Sequence, residues 1–104
     1  MSMKQYLFSE IVSACGGAYT GDPALLANAT TGIVINSELA QPGSLFIAIR
    51  GEKHDGHSFI PAAREKGASL VVTDHPLAQE PYLLVPDTLK AMHDIARCYR
   101  NKFM

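Results

Sequence analysis

Three stretches of this chain are dominated by apolar residues without the alternation of a half-wet strand: LFIAI at Leu45–Ile49, SLVVT at Ser69–Thr73 and YLLV at Tyr82–Val85. A strand with one face in water alternates apolar and polar residues, whereas a strand covered on both faces reads as a continuous run. The runs are short and bounded by Gly, Pro or polar clusters, which favours strands over helices. Between them lie segments of helical character, and that alternation predicts an α/β fold: a small mixed sheet with helices on its faces. The spacing of Leu7, Ile11 and Ala14 predicts a helix over Gln5–Cys15, stopped by Gly16-Gly17. Strands are expected at Ala18–Thr20 and Ala29–Ile35, with turns at Gly21-Asp22-Pro23 and at Gln41-Pro42-Gly43, the latter in the order a type II turn prefers. A helix is expected over Phe59–Lys66, with Ser58 as its N-cap, Pro61 in its first turn and Gly67 just past its end. Asp87 is read as the cap of a last helix reaching Lys102, with Leu89, Met92, Ala96, Tyr99 and Phe103 as its apolar stripe.

The 104 residues suit a single domain, 1–104, with one modest core. A net charge of -1 supplies no basic face, so no nucleic-acid partner is expected. No apolar run approaches the length of a membrane span, and the start MSMKQYLFSE has no long apolar signal segment. The expectation is therefore a cytoplasmic chain without membrane insertion, its oligomeric state open. Cys15 and Cys98 form no C-x-x-C pair and are read as buried, reduced thiols.

The chemically dense stretch is GEKHDGHSF, Gly51–Phe59, which holds His54 and His57, two of the four histidines. It follows the first continuous apolar run directly. His54, Asp55 and His57 are all metal-ligand types, but they crowd into one Gly-bearing loop with no further ligand placed by sequence, and H-x-x-H on a loop lacks the spacing of a helical zinc motif. His with Asp suits acid–base work, yet no G-x-S-x-G nucleophile motif is present. Asp55-Gly56 can simply form a turn, with His57 capping the helix that follows. The remaining reading is a ligand loop at the carboxyl end of a strand, with Lys53 and the free N–H groups of the next helix facing an anion.

The order N-S-E-x-x-x-P-G-S-L-F-I-A-I-x-G-E-K-x-D-G-H-x-F, Asn36–Phe59, resembles the first domain of the Mur ligases. Their pattern runs D-S-R, then P-G-D-L-F-V-A-L-x-G, then D-G-H-x-F. A-x-x-x-G-A-x-x-V-V at Ala63–Val72 and V-P-D-T-L-x-A-M-x-x-I-A-x-x-Y-R at Val85–Arg100 continue the resemblance. I-V-S-A-C-G-G-x-Y-x-G-D at Ile11–Asp22 is most similar to the branch that adds D-alanyl-D-alanine to a UDP-muramoyl-tripeptide. The branch that adds diaminopimelate or lysine is the second choice, and a stand-alone binding or regulatory module on the same fold is the alternative from another class.

The resemblance implies a chain that holds the UDP end of a UDP-N-acetylmuramoyl-peptide. A central domain would bind ATP and Mg²⁺ through a P-loop, and a last domain would take the incoming amino acid or dipeptide. It implies a substrate-binding role for Ile35, Asn36, Ser37, Gly51, Glu52, Lys53 and His54. Asp55, Gly56 and His57 would shape the loop, and neither a catalytic residue nor a metal ligand is expected here. Two positions depart from the family pattern: Asn36 and Glu38 stand where D-S-R has Asp and Arg. Asn keeps a hydrogen-bonding amide, while Glu38 reverses a charge, and a carboxylate repels a nearby diphosphate. The P-loop sequence G-x-x-x-x-G-K-S/T is also missing, since Gly-Lys occurs nowhere in the chain. The expectation is a first domain without its central ATPase and C-terminal domains, inactive by itself in ATP hydrolysis and amide-bond formation.

Overall fold

The computed structural model describes residues 7–99, the side chain of Tyr99 apart. Its elements are α1 (Phe8–Cys15), β1 (Ala18–Thr20), β2 (Ile33–Val34), β3 (Leu45–Ile47), α2 (Ile60–Glu65), β4 (Leu70–Thr73), β5 (Tyr82–Leu84) and α3 (Thr88–Tyr99). Short 3₁₀ turns at Pro23–Ala27, Ser37–Leu39 and Gly56–Phe59 link them. The sheet runs β1-β5-β4-β3-β2; β1 is antiparallel to β5 and every other pairing is parallel. This is the mixed α/β sheet expected from the continuous apolar runs.

Period-two geometry divides each central strand between two cores. Leu45 and Ile47 of β3, Leu70 and Val72 of β4 and Leu83 of β5 pack with Phe8, Ile11, Ala91 and Ile95 of α1 and α3. Phe46 and Val71 point the opposite way, onto Ile60 and Ala63 of α2. Helices on both faces explain why β3 and β4 carry no polar alternation. Complete burial of each large apolar side chain contributes roughly 1.5–3 kcal/mol.

Local chemistry sets the boundaries. Gly16, with φ +68, ends α1 and donates its N–H to Val12 O. Asp87 caps α3, its Oδ1 accepting from the N–H groups of Leu89 and Lys90 at 2.9 and 3.2 Å. In the turn Gln41–Ser44, Gly43 has φ +86 and Ser44 N donates to Gln41 O, as a type II turn with Pro42 at its second position requires.

Several expectations are corrected. The strand expected over Ala29–Ile35 contracts to Ile33–Val34, because the Thr30 and Thr31 hydroxyls donate to Gly32 O and Pro42 O and draw the backbone out of the ladder. Ser58 does not cap α2. It lies within the 3₁₀ turn Gly56–Phe59, which Asp55 caps by accepting the His57 N–H at 2.9 Å. The inward face of α3 is Thr88, Ala91 and Ile95, with Met92 at its margin, whereas Leu89 is 46% exposed. Cys98 is exposed rather than buried; Cys15 is half-buried, and desolvation pushes its thiol up to about 11. Gln5 and Tyr6 of the first expected helix, the Tyr99 side chain, Phe103 and the expected end at Lys102 lie outside the described residues. No helix among the described residues is long and apolar enough to cross a membrane.

The register positions the site. Val34 pairs with Phe46, so the chain leaving β2 and the chain leaving β3 emerge side by side at the carboxyl end of the sheet. That edge is where open α/β sheets form ligand crevices.

Candidate functional site

The two emerging segments enclose a cleft of about 320 Å³. Ile35, Asn36, Ser37 and Glu38 form the wall after β2, and Ile49, Gly51, His54, Gly56 and Phe59 form the wall after β3. The first wall is shaped by Asn36, whose Oδ1 accepts the Glu38 N–H at 2.9 Å and starts the turn Ser37–Leu39. Asn performs this capping as Asp does, since only an acceptor oxygen is needed. Ile35 and Phe59 are 47% and 41% exposed, large apolar side chains left uncovered at the cleft. The His54 ring meets the Phe59 ring edge-on, with centroids 6.3 Å apart.

The second wall is a tight reversal. Gly51 N donates to His54 O at 2.8 Å, Arg50 and Asp55 form a bridge, and Glu52-Lys53 is the exposed tip. Gly56 then folds back on β3, donating to Ile49 O at 2.7 Å. A Cβ on Gly56 would stand 2.7 Å from Ile49 N and 2.8 Å from Ile49 O, both rigid backbone atoms.

Behind this wall, facing away from the cleft, lies an ionic network. Asp55 Oδ1 accepts from the His57 backbone N–H and from His57 Nδ1 at 2.6 Å, and its Oδ2 accepts from Arg50 Nη1 at 2.8 Å. Arg50 also grips Asp74 with two donors, Nε to Oδ2 at 2.6 Å and Nη2 to Oδ1 at 3.0 Å. The His57 side chain is 6% exposed, and its Nε2 accepts the Asp74 N–H at 3.2 Å. That pattern assigns the tautomer with the proton on Nδ1. The hydrogen bonds of Arg50 hold the Asp74 carboxyl well below the usual carboxylate range. The backbone and ring N–H groups of His57 lower Asp55 in the same direction.

His57, Asp74 and His75 bring metal-ligand atoms within 4.8 Å of one another. Two of the three are already committed, and His75 is exposed with its Nδ1 against Asp74 Oδ1 at 2.9 Å. Asp74 is held by a guanidinium whose charge opposes a cation, and the Nε2 lone pair of His57 is occupied by the Asp74 N–H. The arrangement is a latch that fastens the loop after β3 to the end of β4.

Comparison with known proteins agrees with this architecture. Residues 29–100 match the family described as "Mur ligase family, catalytic domain". The chain belongs to the Mur ligase family. It is 40% identical over 82 residues to the UDP-N-acetylmuramoyl-L-alanyl-D-glutamate–2,6-diaminopimelate ligase of Aquifex aeolicus, a match covering 78% of this chain and 17% of the relative. It is 49% identical over 65 residues to the UDP-N-acetylmuramoyl-tripeptide–D-alanyl-D-alanine ligase of Synechocystis, covering 59% of this chain and 14% of the relative. A crystal structure of MurF from Acinetobacter baumannii superposes with a TM-score of 0.79 at 23% identity, over 92% of this chain and 21% of that one, which is a likeness of fold. The chain thus spans about a sixth of the length of these curated relatives.

Within the Mur ligase pattern, the structure brings together Ile35, Asn36, Ser37, Gly51 and His54 on the cleft. Glu52 and Lys53 are at the exposed tip and are not among its walls. Gly56 lines the cleft, while Asp55 and His57 turn into the latch. Sequence reasoning did not place Ile49 and Phe59 on the cleft. It also missed Arg50 and Asp74 as partners of Asp55 and His57. Asp74 is 19 residues from Asp55, and no local periodicity joins them.

Proposed function

We propose that the cleft between the β2 and β3 ends holds the UDP end of a UDP-N-acetylmuramoyl-peptide, in the substrate-binding domain of a peptidoglycan-precursor ligase. One observation carries this reading. In a chain of the Mur ligase family, the two motif segments N-S-E and G-E-K-x-D-G-H-x-F converge on one cleft at the carboxyl edge of adjacent parallel strands. The exposed Ile35 and Phe59 side chains suit a planar base, and the Ser37 hydroxyl and His54 ring supply polar contacts. Lys53 at the loop tip supplies positive charge for phosphate.

The finer assignment is to the ligase that adds D-alanyl-D-alanine to the tripeptide substrate. The 40% identity to a diaminopimelate-adding relative supports that second branch as the alternative. ATP and Mg²⁺ belong, in this reading, to a central domain outside these residues. The family description names a catalytic domain, yet the chain contains no Gly-Lys dipeptide with which to build a P-loop, so the role assigned to it is binding.

The test is an NMR titration of the labelled chain with UDP and then with UDP-N-acetylmuramoyl-tripeptide. Saturable shifts are expected at Ser37, Gly51 and His54. Amide spectra unchanged at millimolar ligand would remove the reading.

A further inference from the structure

Glu38 stands on the cleft wall, and among the described residues no cation pairs with its carboxylate. The Asn36 side chain holds its backbone in the turn Ser37–Leu39, which keeps residue 38 at the cleft. Lys66 Nζ lies 3.5 Å from the Glu38 backbone oxygen and donates to that instead of the carboxylate.

An ionised carboxylate is an acceptor alone, so the group it selects must donate. It also repels phosphate, so phosphates belong against the other wall, near Gly51 and His54. A nucleoside diphosphate has two kinds of donor: base N–H groups and the vicinal ribose hydroxyls. The diol offers two adjacent O–H groups to the two carboxylate oxygens, a match that acidic residues also make in dinucleotide sites. The base suits the apolar side chains of Ile35, Ile49 and Phe59.

We propose that Glu38 is a specificity-determining residue: its carboxylate accepts hydrogen bonds from the vicinal hydroxyls of a ribose. It thereby directs the phosphates toward the Gly51–His54 loop. This rests on the cleft being a nucleotide site and adds which part of the nucleotide each wall reads.

The experiment titrates the wild-type chain, Glu38→Ala and Glu38→Gln with uridine, 2′-deoxyuridine and UDP, following amide shifts. Glu38 is exposed, and unchanged thermal unfolding of the variants confirms that they fold. Glu38→Ala is expected to weaken uridine by at least about tenfold, the size of a lost hydrogen bond to a charged group, and UDP by less, because the repulsion of phosphate is relieved at the same time. Wild type should lose part of that factor toward 2′-deoxyuridine, which keeps the 3′ hydroxyl, and Glu38→Ala should bind uridine and 2′-deoxyuridine equally. Glu38→Gln, which keeps one acceptor oxygen, should fall between. Tighter UDP binding by Glu38→Ala with uridine unchanged would overturn the proposal, leaving Glu38 as a repulsive charge alone. Equal discrimination against 2′-deoxyuridine in wild type and Glu38→Ala would overturn it too. If no form binds uridine or UDP, the nucleotide reading fails together with the role of Glu38.

Discussion

Gly56 shows how one missing side chain shapes the cleft. Its role rests on space, since the loop returns so close to β3 that a Cβ would enter the backbone of Ile49. Gly56→Ala must therefore move either the loop or the strand. The expected cost is about 1–3 kcal/mol, the range for overpacked sites, with shifted amide resonances at Gly51 and His54. Urea unfolding checks it, and a variant as stable as wild type with an unchanged spectrum would refute the close-approach account. His57 next to it, a metal-ligand candidate by residue type, is a buried strut with both ring nitrogens occupied. Its type was legible in the sequence, but the direction of its ring depended on Asp74 from another strand.

Among the elements, α3 best separates pattern from packing. Leu89, Met92 and Ala96 recur at helical spacing, as do Ala91 and Ile95, so periodicity alone admits more than one inward face. Docking against α1 and the sheet chose Ala91 and Ile95. Ile95→Ala is expected to destabilise the chain by about 2–4 kcal/mol, through lost transfer energy and a cavity. Leu89→Ala, at an exposed position, should stay within about 0.5 kcal/mol. Chemical denaturation of the two variants decides it, and equal losses would place the wrong face inward. The central strands were readable because burial on both faces leaves a local mark. The strand at β2 was less so, since Thr30 and Thr31 are good strand residues whose hydroxyls found nearer backbone partners.

For the molecule as a whole, the latch of Arg50, Asp55, His57 and Asp74 joins the cleft to the sheet and makes stability depend on pH. Asp74 and Asp55 both titrate below their ordinary values in the folded chain, chiefly through hydrogen bonds from Arg50 and from His57 respectively. A carboxylate lowered by folding stabilises the native state above its unfolded value of about 3.9. The stabilisation is lost as pH falls through the lower folded value. The melting temperature should hold across pH 5–7 in respect of these groups and decline below about pH 4. Arg50→Gln should shrink the acid-side decline. Thermal scans of both proteins from neutral pH to about pH 3 test the point; identical pH profiles would exclude the latch as its source.

The local sequence was enough to establish the kinds of element, their order and the α/β class. Those depend on contacts a few residues apart and on whether one face or two are buried. It also marked G-E-K-x-D-G-H-x-F as a stretch with ligand chemistry, while N-S-E stood out only through the resemblance to the Mur ligases. Tertiary structure alone decided that these stretches face each other, that Phe59 and Ile49 join them, and that Asp55 and His57 turn away toward Asp74. The physical reason is the parallel register of β2, β3 and β4, which brings residues far apart in the chain to one edge of the sheet.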